Sequence, residues 1–187
     1  MVWSCLVSIL PGMAQTEKLT DYVNPFVGTD GYGNVYPGAQ IPFGGIQISP
    51  DTDSRFYDAA SGYKYNHLTL MGFSLTHLSG TGIPDLGDFL FIPGTGEMKL
   101  EPGTHEDPDQ GYRSRYSHDK EWASPNYYAV ELADYGVKAE MTSGVRSGMF
   151  RFTYPESDNA FIMIDMNHTL WQSCEWSNLR MINDSTI

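Results

Sequence analysis

Apolar and polar side chains alternate with a period of two over much of the last third of the chain. Residues 127–132 and 137–142 show this alternation on either side of Asp134-Tyr135-Gly136, a short connection that contains glycine. A period of two places successive side chains on opposite faces of a strand, and a short connection with glycine joins antiparallel neighbours. These residues therefore predict a β-hairpin.

A second pair of strands is predicted immediately after this hairpin. Phe150, Phe152 and Tyr154 occupy every second position, and turn-forming residues 155–159 precede another apolar run over residues 161–166. The alternation predicts that the three aromatic rings face the core, and the turn residues predict the connection between the two strands.

Glycine and proline divide the earlier part of the chain. Residues 41–48 and 89–92 are predicted as further strands, whereas residues 28–38 and 79–87 are predicted as long glycine-rich loops. Glycine or proline also interrupts most windows that would show the spacing of an amphipathic helix. Antiparallel strands without intervening helices predict an all-β fold, an antiparallel β-sandwich with long Gly-rich loops.

Composition narrows the classes of function. The 187 residues suit one domain, and 41% hydrophobic with 13% aromatic residues indicates an ordered, β-rich core. The formal net charge of −12, without any cluster of Lys and Arg, argues against nucleic acid as a partner. No stretch approaches the roughly 18 to 20 apolar residues of a membrane-spanning helix. Cys5 and Cys174 provide no CxxC half-site for zinc.

Residues 1–15 predict a secretory signal peptide or its remnant. Residues 2–10 are mostly apolar, and Ala14 is a small residue at a plausible cleavage point before Gln15. The usual positively charged start is missing, so a buried N-terminal strand remains the alternative. The signal predicts a secreted, periplasmic or cell-surface protein.

Three motifs come close to catalytic or metal sites. Residues 72–76 approach the GxSxG nucleophile elbow but lack its second glycine and a following helix, which excludes a serine hydrolase. Asp51-Thr52-Asp53 begins like a calcium loop without the later Gly and Glu, so solvated turn carboxylates are predicted. Asp85 and Asp88 would suit a glycosidase carboxylate pair, but Asp-Leu-Gly-Asp is also a turn sequence, and the turn is favoured.

His77 precedes a glycine-rich loop that can bring backbone close to a ligand. A buried histidine bonded to a neighbouring carbonyl is the alternative, and the residues alone favour it.

A series of short motifs resembles the opening of glycoside hydrolase family 92. They are, in order, Asn24-Pro25-Phe26-Val27-Gly28-Thr29-Asp30, Pro37-Gly38-Ala39, Pro42-Phe43-Gly44, Ser49-Pro50-Asp51-Thr52, Ser61-Gly62-Tyr63 and Gly72-Phe73-Ser74-Leu75-Thr76-His77-Leu78-Ser79-Gly80-Thr81-Gly82. The likeness runs from residue 21 to residue 187. Leu75 departs from the family pattern, which usually has a histidine there, whereas His77 is retained.

The resemblance implies the N-terminal β-sandwich domain, incomplete at its C-terminus, of a calcium-dependent inverting exo-α-mannosidase. In this family the sandwich packs on a larger C-terminal (α/α)6 barrel, and the site lies between the two domains. The barrel supplies the acid, the carboxylates that activate water and the calcium ligands. Residues 21–187 are therefore expected to hold no catalytic residue and to bind no calcium. The implied substrates are N-glycan or mannan oligosaccharides with terminal, α-1,2-linked mannose.

The resemblance also suggests which residues touch the sugar. Pro42, Phe43, Gly44 and Tyr63 are the first candidates; Gly44 would let backbone approach a ligand, and the Tyr63 ring would stack on a sugar. His77 and Ser79 are further candidates. Turn formation or core packing is the alternative for each. Two alternative functions stay open: a carbohydrate-binding module with Trp122, Trp171 or Trp176 as its platform, and a structural sandwich that docks on another domain.

Overall fold

The computed structural model describes residues 17–55 and 57–187, so the predicted signal over residues 1–15 lies outside the described residues. The strands are β1 (Ala39–Gln40), β2 (Gln47–Asp51), β3 (Thr69–Leu70), β4 (Gly72–Ser74), β5 (Leu90–Thr95), β6 (Ser114–Arg115), β7 (Glu121–Ser124), β8 (Tyr127–Leu132), β9 (Val137–Ser143), β10 (Gly148–Thr153) and β11 (Ala160–Asp165). Short 3-10 turns occur at Leu19–Tyr22, Tyr57–Ala59, Pro108–Gln110 and His118–Lys120. Over the described ranges, no helix has the length and apolar character to cross a membrane.

Two antiparallel sheets face each other. The first sheet has the strand order β1-β2-β4-β5-β11, and the second has the order β10-β9-β8-β7. β3 and β6 form a separate two-stranded ribbon. Strand β9 of the second sheet contacts β1, β2 and β5 of the first. This arrangement confirms the predicted antiparallel β-sandwich.

Side chains from both sheets fill the core between them. Phe150 and Phe152 from β10, together with Tyr154 just beyond it, are partly buried against this core, as their alternation predicts. Fully burying one large apolar side chain contributes about 1.5 to 3 kcal/mol. The residues of the core that are at most 2% exposed include Ile48, Phe73, Tyr128, Val130, Leu132, Val137, Ala139 and Met141.

The hairpin predicted around Asp134-Tyr135-Gly136 is confirmed. Strand β8 pairs with β9, and Leu132 lies opposite Val137 at the turn. Gly136 has a φ of 64°, a left-handed conformation that glycine adopts without steric penalty. The local turn chemistry and the period of two therefore fix this pairing.

The second predicted pair is present as two strands, but they do not pair with each other. Strand β10 pairs with β9, whereas β11 pairs with β5 in the opposite sheet. Residues 155–159 therefore carry the chain from one sheet to the other. The Tyr154 hydroxyl donates a hydrogen bond of 2.8 Å to the Phe161 carbonyl across this crossing. Turn-forming residues indicate a reversal of the chain but not the neighbour that the next strand takes.

The strand predicted over residues 41–48 is largely wrong, because β2 begins only at Gln47. A hydrogen bond of 3.1 Å from the Gly44 amide to the Ile41 carbonyl closes a turn in its place. Residues 89–92 do form most of a strand, within β5. The loops predicted over residues 28–38 and 79–87 contain neither helix nor strand.

Candidate functional site

The strand register brings four loops to one end of the sandwich. Strands β2 and β4 run antiparallel, so the loop before β2 (residues 41–46) and the loop after β4 (residues 75–89) leave the sheet at the same end. A backbone hydrogen bond of 2.8 Å joins the first of these loops to Val145, between β9 and β10. Another of 2.7 Å joins the second loop to Asn34, before β1. We call these four loops the loop end; they carry every predicted sugar-contacting residue except Tyr63.

Pro42 and Phe43 form an exposed tip at the loop end. The Phe43 ring is fully exposed, and its φ of 59° lies in the left-handed region. That conformation costs a non-glycine residue about 1 to 2 kcal/mol. A Cβ on Gly44 would lie 2.9 Å from Ile41 Cγ1, so a larger residue there would displace the Ile41 side chain within the turn. An exposed ring on strained backbone is typical of a surface that meets a ligand or a partner.

Tyr63 and His77 lie inside the fold, whereas Ser79 is exposed at the loop end. The Tyr63 side chain packs in the core and its hydroxyl donates to Glu121 at 3.0 Å. His77 Nδ1 lies 2.6 Å from the Gln47 carbonyl oxygen, the bonding pattern of a buried structural histidine. Neither ring offers a free face for stacking, so either residue would affect a sugar through the residues that it positions.

A buried carboxylate, Asp51, lies between two histidines. Its Oδ1 is 2.8 Å from His77 Nε2, and its Oδ2 is 2.8 Å from His168 Nε2. The three side chains are at most 3% exposed. His77 Nδ1 faces the Gln47 carbonyl and His77 Nε2 faces Asp51. The three residues therefore form a buried hydrogen-bonded array, which we call the Asp51 array.

Opposing effects act on the Asp51 carboxyl. Burial raises its pKa. The charge of His77 and the hydrogen bonds from His168 and His77 lower the pKa by more than burial raises it, so the net pKa is well below the ordinary value. Asp51 is thus ionised at neutral pH.

The prediction that Asp51 and Asp53 are solvated turn carboxylates is wrong. Both side chains are fully buried. Asp53 accepts a hydrogen bond of 2.8 Å from the Arg55 amide and lies 3.3 Å from His105 Nε2. The partners of Asp51, and His105 beside Asp53, come from distant parts of the chain, and a local sequence pattern does not show such partners.

Gly62 explains why the motif Ser61-Gly62-Tyr63 needs a glycine beside the Asp51 array. Its φ is 82°, and a Cβ there would lie 2.1 Å from Asp51 Oδ1. The same Cβ would lie 3.2 Å from the His77 ring. Only glycine therefore leaves space for the carboxylate and the imidazole.

Ser74, His77 and Asp51 contact one another but do not form a hydrolase triad. Ser74 Oγ lies 3.0 Å from His77 Nε2, the nitrogen that also faces Asp51. A serine relay needs the hydroxyl and the carboxylate on opposite ring nitrogens. Ser74 is also buried, within β4. This geometry agrees with the sequence motif, which also excluded a serine hydrolase.

Asp85 and Asp88 are exposed residues of the loop after β4. Asp85 accepts a hydrogen bond of 2.8 Å from the Leu86 amide, and Asp88 accepts one of 2.7 Å from the Thr76 hydroxyl. The first bond is local, whereas the second links residues 12 positions apart, and residues 85–88 form an irregular loop segment instead of the predicted turn.

An open cleft of about 440 Å³ lies beside the Asp51 array. Trp171 is about half exposed. The Tyr57 and Trp171 rings pack edge to face, with their centroids 6.4 Å apart. The sequence indicated Trp171 only as one of three alternative platforms. The other lining residues were missed, because His168 meets Asp51 across 117 positions of the chain. We call this site the Trp171 cleft; its lining includes Ser54, Arg55, Asp165, Asn167, His168, Trp171 and Gln172.

Comparison with known protein families gives one match over most of the chain. Residues 22–187 match the model of the glycosyl hydrolase family 92 N-terminal domain. A curated protein from Arthroderma benhamiae, named an uncharacterized secreted glycosidase, is 30% identical over 139 residues. That alignment covers 73% of this chain and 17% of the relative.

Two solved structures are similar to the described fold. The gh92 family glycosyl hydrolase ccman5 matches with a TM-score of 0.68 and 31% identity. A family GH92 inverting mannosidase from Bacteroides thetaiotaomicron matches with a TM-score of 0.64 and 27% identity. Each match covers 80% of this chain but only 20% of the solved chain.

Proposed function

Because the chain belongs to glycosyl hydrolase family 92, as the N-terminal domain of that family, we propose that it is one domain of an inverting exo-α-mannosidase. Its substrates would be glycans with terminal mannose, α-1,2-linked. The similarity to an inverting mannosidase supports this reaction. The chain spans about a fifth of the matched structures, so the proposed catalytic (α/α)6 domain corresponds to the part of those proteins that it does not cover.

The carboxylates of this chain support that division of labour. Inversion needs a carboxylic acid and a carboxylate base on opposite faces of the sugar, about 6.5 to 9.5 Å apart. Asp51 is buried against two histidines. Asp85 and Asp88 are exposed in the loop after β4 and bond the Leu86 amide and the Thr76 hydroxyl. None of these three is placed to flank a glycosidic bond, and we assign the acid and the base to the catalytic domain.

We assign the calcium site to the catalytic domain as well. The ion takes six to eight oxygen ligands. Within residues 17–55 and 57–187, no three His, Cys, Asp or Glu side chains are grouped so as to hold a metal ion. Asp51 and Asp53, which begin the calcium-loop-like motif, are instead engaged by histidines. The described His, Cys, Asp and Glu side chains therefore do not fit a calcium site.

The exposed Phe43 ring is the observation that carries the proposed role of this chain. It stands fully exposed on left-handed backbone at the loop end, beside the loop that holds exposed Ser79. We assign Phe43 and Ser79 to the wall of the sugar pocket, with Pro42 and Gly44 fixing the turn. His77 is assigned as a positioning residue, because its ring bonds the Gln47 carbonyl where the loop before β2 ends; Tyr63 is a core residue bonded to Glu121 and is not assigned to the wall.

A complementation assay tests this proposal. The chain alone, incubated with α-1,2-mannobiose and calcium, is expected to release no mannose. Adding the separately produced catalytic domain of a family 92 mannosidase is expected to raise mannose release at least tenfold above that domain alone. Proton NMR should show β-mannose as the first product. Release by the chain alone, or no gain on mixing, would contradict the proposal.

A matched pair of variants makes the assay specific for the loop end. Phe43→Ala is expected to lower the restored kcat/KM about tenfold, because the ring no longer contacts the sugar. Tyr22→Ala removes another exposed aromatic ring, from the 3-10 turn Leu19–Tyr22, and is expected to leave the rate unchanged. Equal losses in both variants would exclude a specific role for Phe43.

We also propose that the protein acts outside the cytoplasm. The signal predicted over residues 1–15 and the name of the secreted relative support this location. Detecting the protein in the medium or cell envelope of its host, with an N-terminus near residue 15, is the expected result. An intact Met1 on a cytoplasmic protein would contradict it.

A further inference from the structure

We propose that the Trp171 cleft is a binding subsite for a pyranose sugar, distinct from the Phe43 tip and usable by this chain alone. The choice of a mannoside as its ligand rests on the proposed function. The cleft has an aromatic platform, a polar rim and a histidine that the Asp51 array holds against it.

Trp171 is held in place by its backbone while its ring stays half exposed. The Trp171 amide donates a hydrogen bond of 2.8 Å to the Ser54 carbonyl, and the Leu170 amide donates one of 2.7 Å to the Leu86 carbonyl. Leu170 is fully buried, so the segment is anchored directly before the ring. The φ of Trp171 is 74°, a conformation that L residues rarely adopt. Burial of the ring does not compensate this strain, which is the pattern expected at a ligand platform.

The surroundings of the ring suit a sugar. One face of a pyranose presents C–H groups that stack on an aromatic ring, and its edge presents hydroxyls that both donate and accept. Asn167 and Gln172 line the cleft with amides, which also do both. Arg55 adds donors and Asp165 adds acceptors. Because both charges are present at the rim, an uncharged polyol is favoured over a strongly charged ligand.

His168 connects the cleft to the Asp51 array. Its side chain is 3% exposed and lines the cleft, and its Nε2 lies 2.8 Å from Asp51 Oδ2. His168 Nδ1 makes no hydrogen bond to the described residues. With Nε2 taken by the carboxylate, Nδ1 is the ring nitrogen left for a sugar hydroxyl. Asp51 thus acts as a positioning residue that fixes the orientation of His168.

The size of the cleft sets the length of ligand. Its volume of about 440 Å³ lies near the lower end of the range for ligand sites. One or two sugar rings fit such a volume, whereas a long oligosaccharide would extend beyond it. The cleft is therefore assigned a terminal mono- or disaccharide unit.

Saturation-transfer difference NMR with methyl α-mannoside tests the proposal on the whole chain. Wild type is expected to bind with a millimolar Kd, with the strongest transfer to the ring protons that face Trp171. Trp171→Ala is expected to weaken binding at least tenfold. Trp122→Ala removes a tryptophan of similar exposure on β7, in the four-stranded sheet, and is expected to leave the Kd unchanged.

Arg55→Ala provides a second variant should Trp171→Ala fail to fold, since the Arg55 side chain is 58% exposed. It is expected to weaken binding about threefold to tenfold. Absence of saturation transfer from wild type to the ligand at 50 mM, or equal Kd values in wild type and both cleft variants, would overturn the subsite. Failure here with successful complementation would leave the proposed function standing, and binding here without complementation would leave only the subsite.

Discussion

Replacing Asp51 with asparagine is expected to lower the free energy of unfolding by about 3 to 5 kcal/mol, the range for breaking a buried ion pair by removing one partner. His77 and His168 both donate to this carboxylate at 2.8 Å. Asparagine keeps the shape but removes the charge and turns one acceptor into a donor that faces a histidine N–H. Urea denaturation followed by tryptophan fluorescence at pH 7 measures the change.

The control for this substitution is Asp85→Asn, which changes an exposed carboxylate of the loop after β4. Its effect is expected to stay within about 0.5 kcal/mol, as for most surface substitutions. Equal urea midpoints for wild type and Asp51→Asn would show that the Asp51 array does not stabilise the fold.

The pH dependence of the same comparison follows from the lowered pKa of Asp51. A carboxyl whose pKa is lower in the folded state stabilises that state above its unfolded pKa, about 3.9 for aspartate. That contribution is lost as the pH falls through the lower, folded pKa. The stability difference between wild type and Asp51→Asn should therefore be full at neutral pH and shrink below about pH 4. A difference that grows toward acid would contradict the assigned sign.

Replacing Glu121 with alanine is expected to have a similar effect, a loss of about 3 to 5 kcal/mol in the free energy of unfolding. This buried carboxylate accepts hydrogen bonds from the hydroxyls of Tyr63 and Tyr128, and His118 Nδ1 lies 2.6 Å from it. Burial, with the charges around it, raises the pKa of both phenols, so both stay protonated and donate. Alanine would leave the two phenol donors in the core without an acceptor and would remove the partner of the partly exposed His118.

Glu131 on the neighbouring strand β8 is the matched control for Glu121. Its side chain is 39% exposed and pairs with Lys120, itself 61% exposed, at 2.6 Å. Such surface pairs contribute about 0 to 1 kcal/mol, so Glu131→Ala should change the urea midpoint little. In a Tyr128→Phe background, Glu121→Ala should cost less than in wild type, because one donor is already gone. Additive effects would show that Glu121 and Tyr128 do not interact.

Sequence patterns predicted the parts of the fold that local interactions determine. The β8–β9 hairpin follows from alternation over two short segments and a glycine between them. The exchange of β11 into the other sheet was not predictable in this way, because the turn at residues 155–159 is compatible with either neighbour. Residues 41–48 misled the prediction for another reason: an apolar run suggested a strand, but Pro42 and Gly44 belong to a tight turn.

The candidate site was less predictable than the fold. The motifs that carry the family resemblance contain Asp51, Gly62 and His77, but they did not show that these residues pack against each other. Charged residues are usually exposed, so the burial of Asp51 can be predicted only if its partner His168 is known. Trp171 stood out only as one of several tryptophans, since nothing nearby in sequence indicates the backbone that holds its ring half exposed.

The exchange of β11 between sheets also has a consequence for the order in which a nascent chain folds. Strands β7 to β10 follow one another and pair with sequence neighbours, so they can associate as soon as residues 121–153 have been synthesised. β5 can pair with β11 only after the strands between them in sequence have been synthesised. Closing so long a loop is slow. Pulse-labelled hydrogen exchange would contradict this order if β5 amides were protected before those of β8 and β9. During synthesis, β5 therefore has an unpaired edge that a chaperone would need to protect from aggregation.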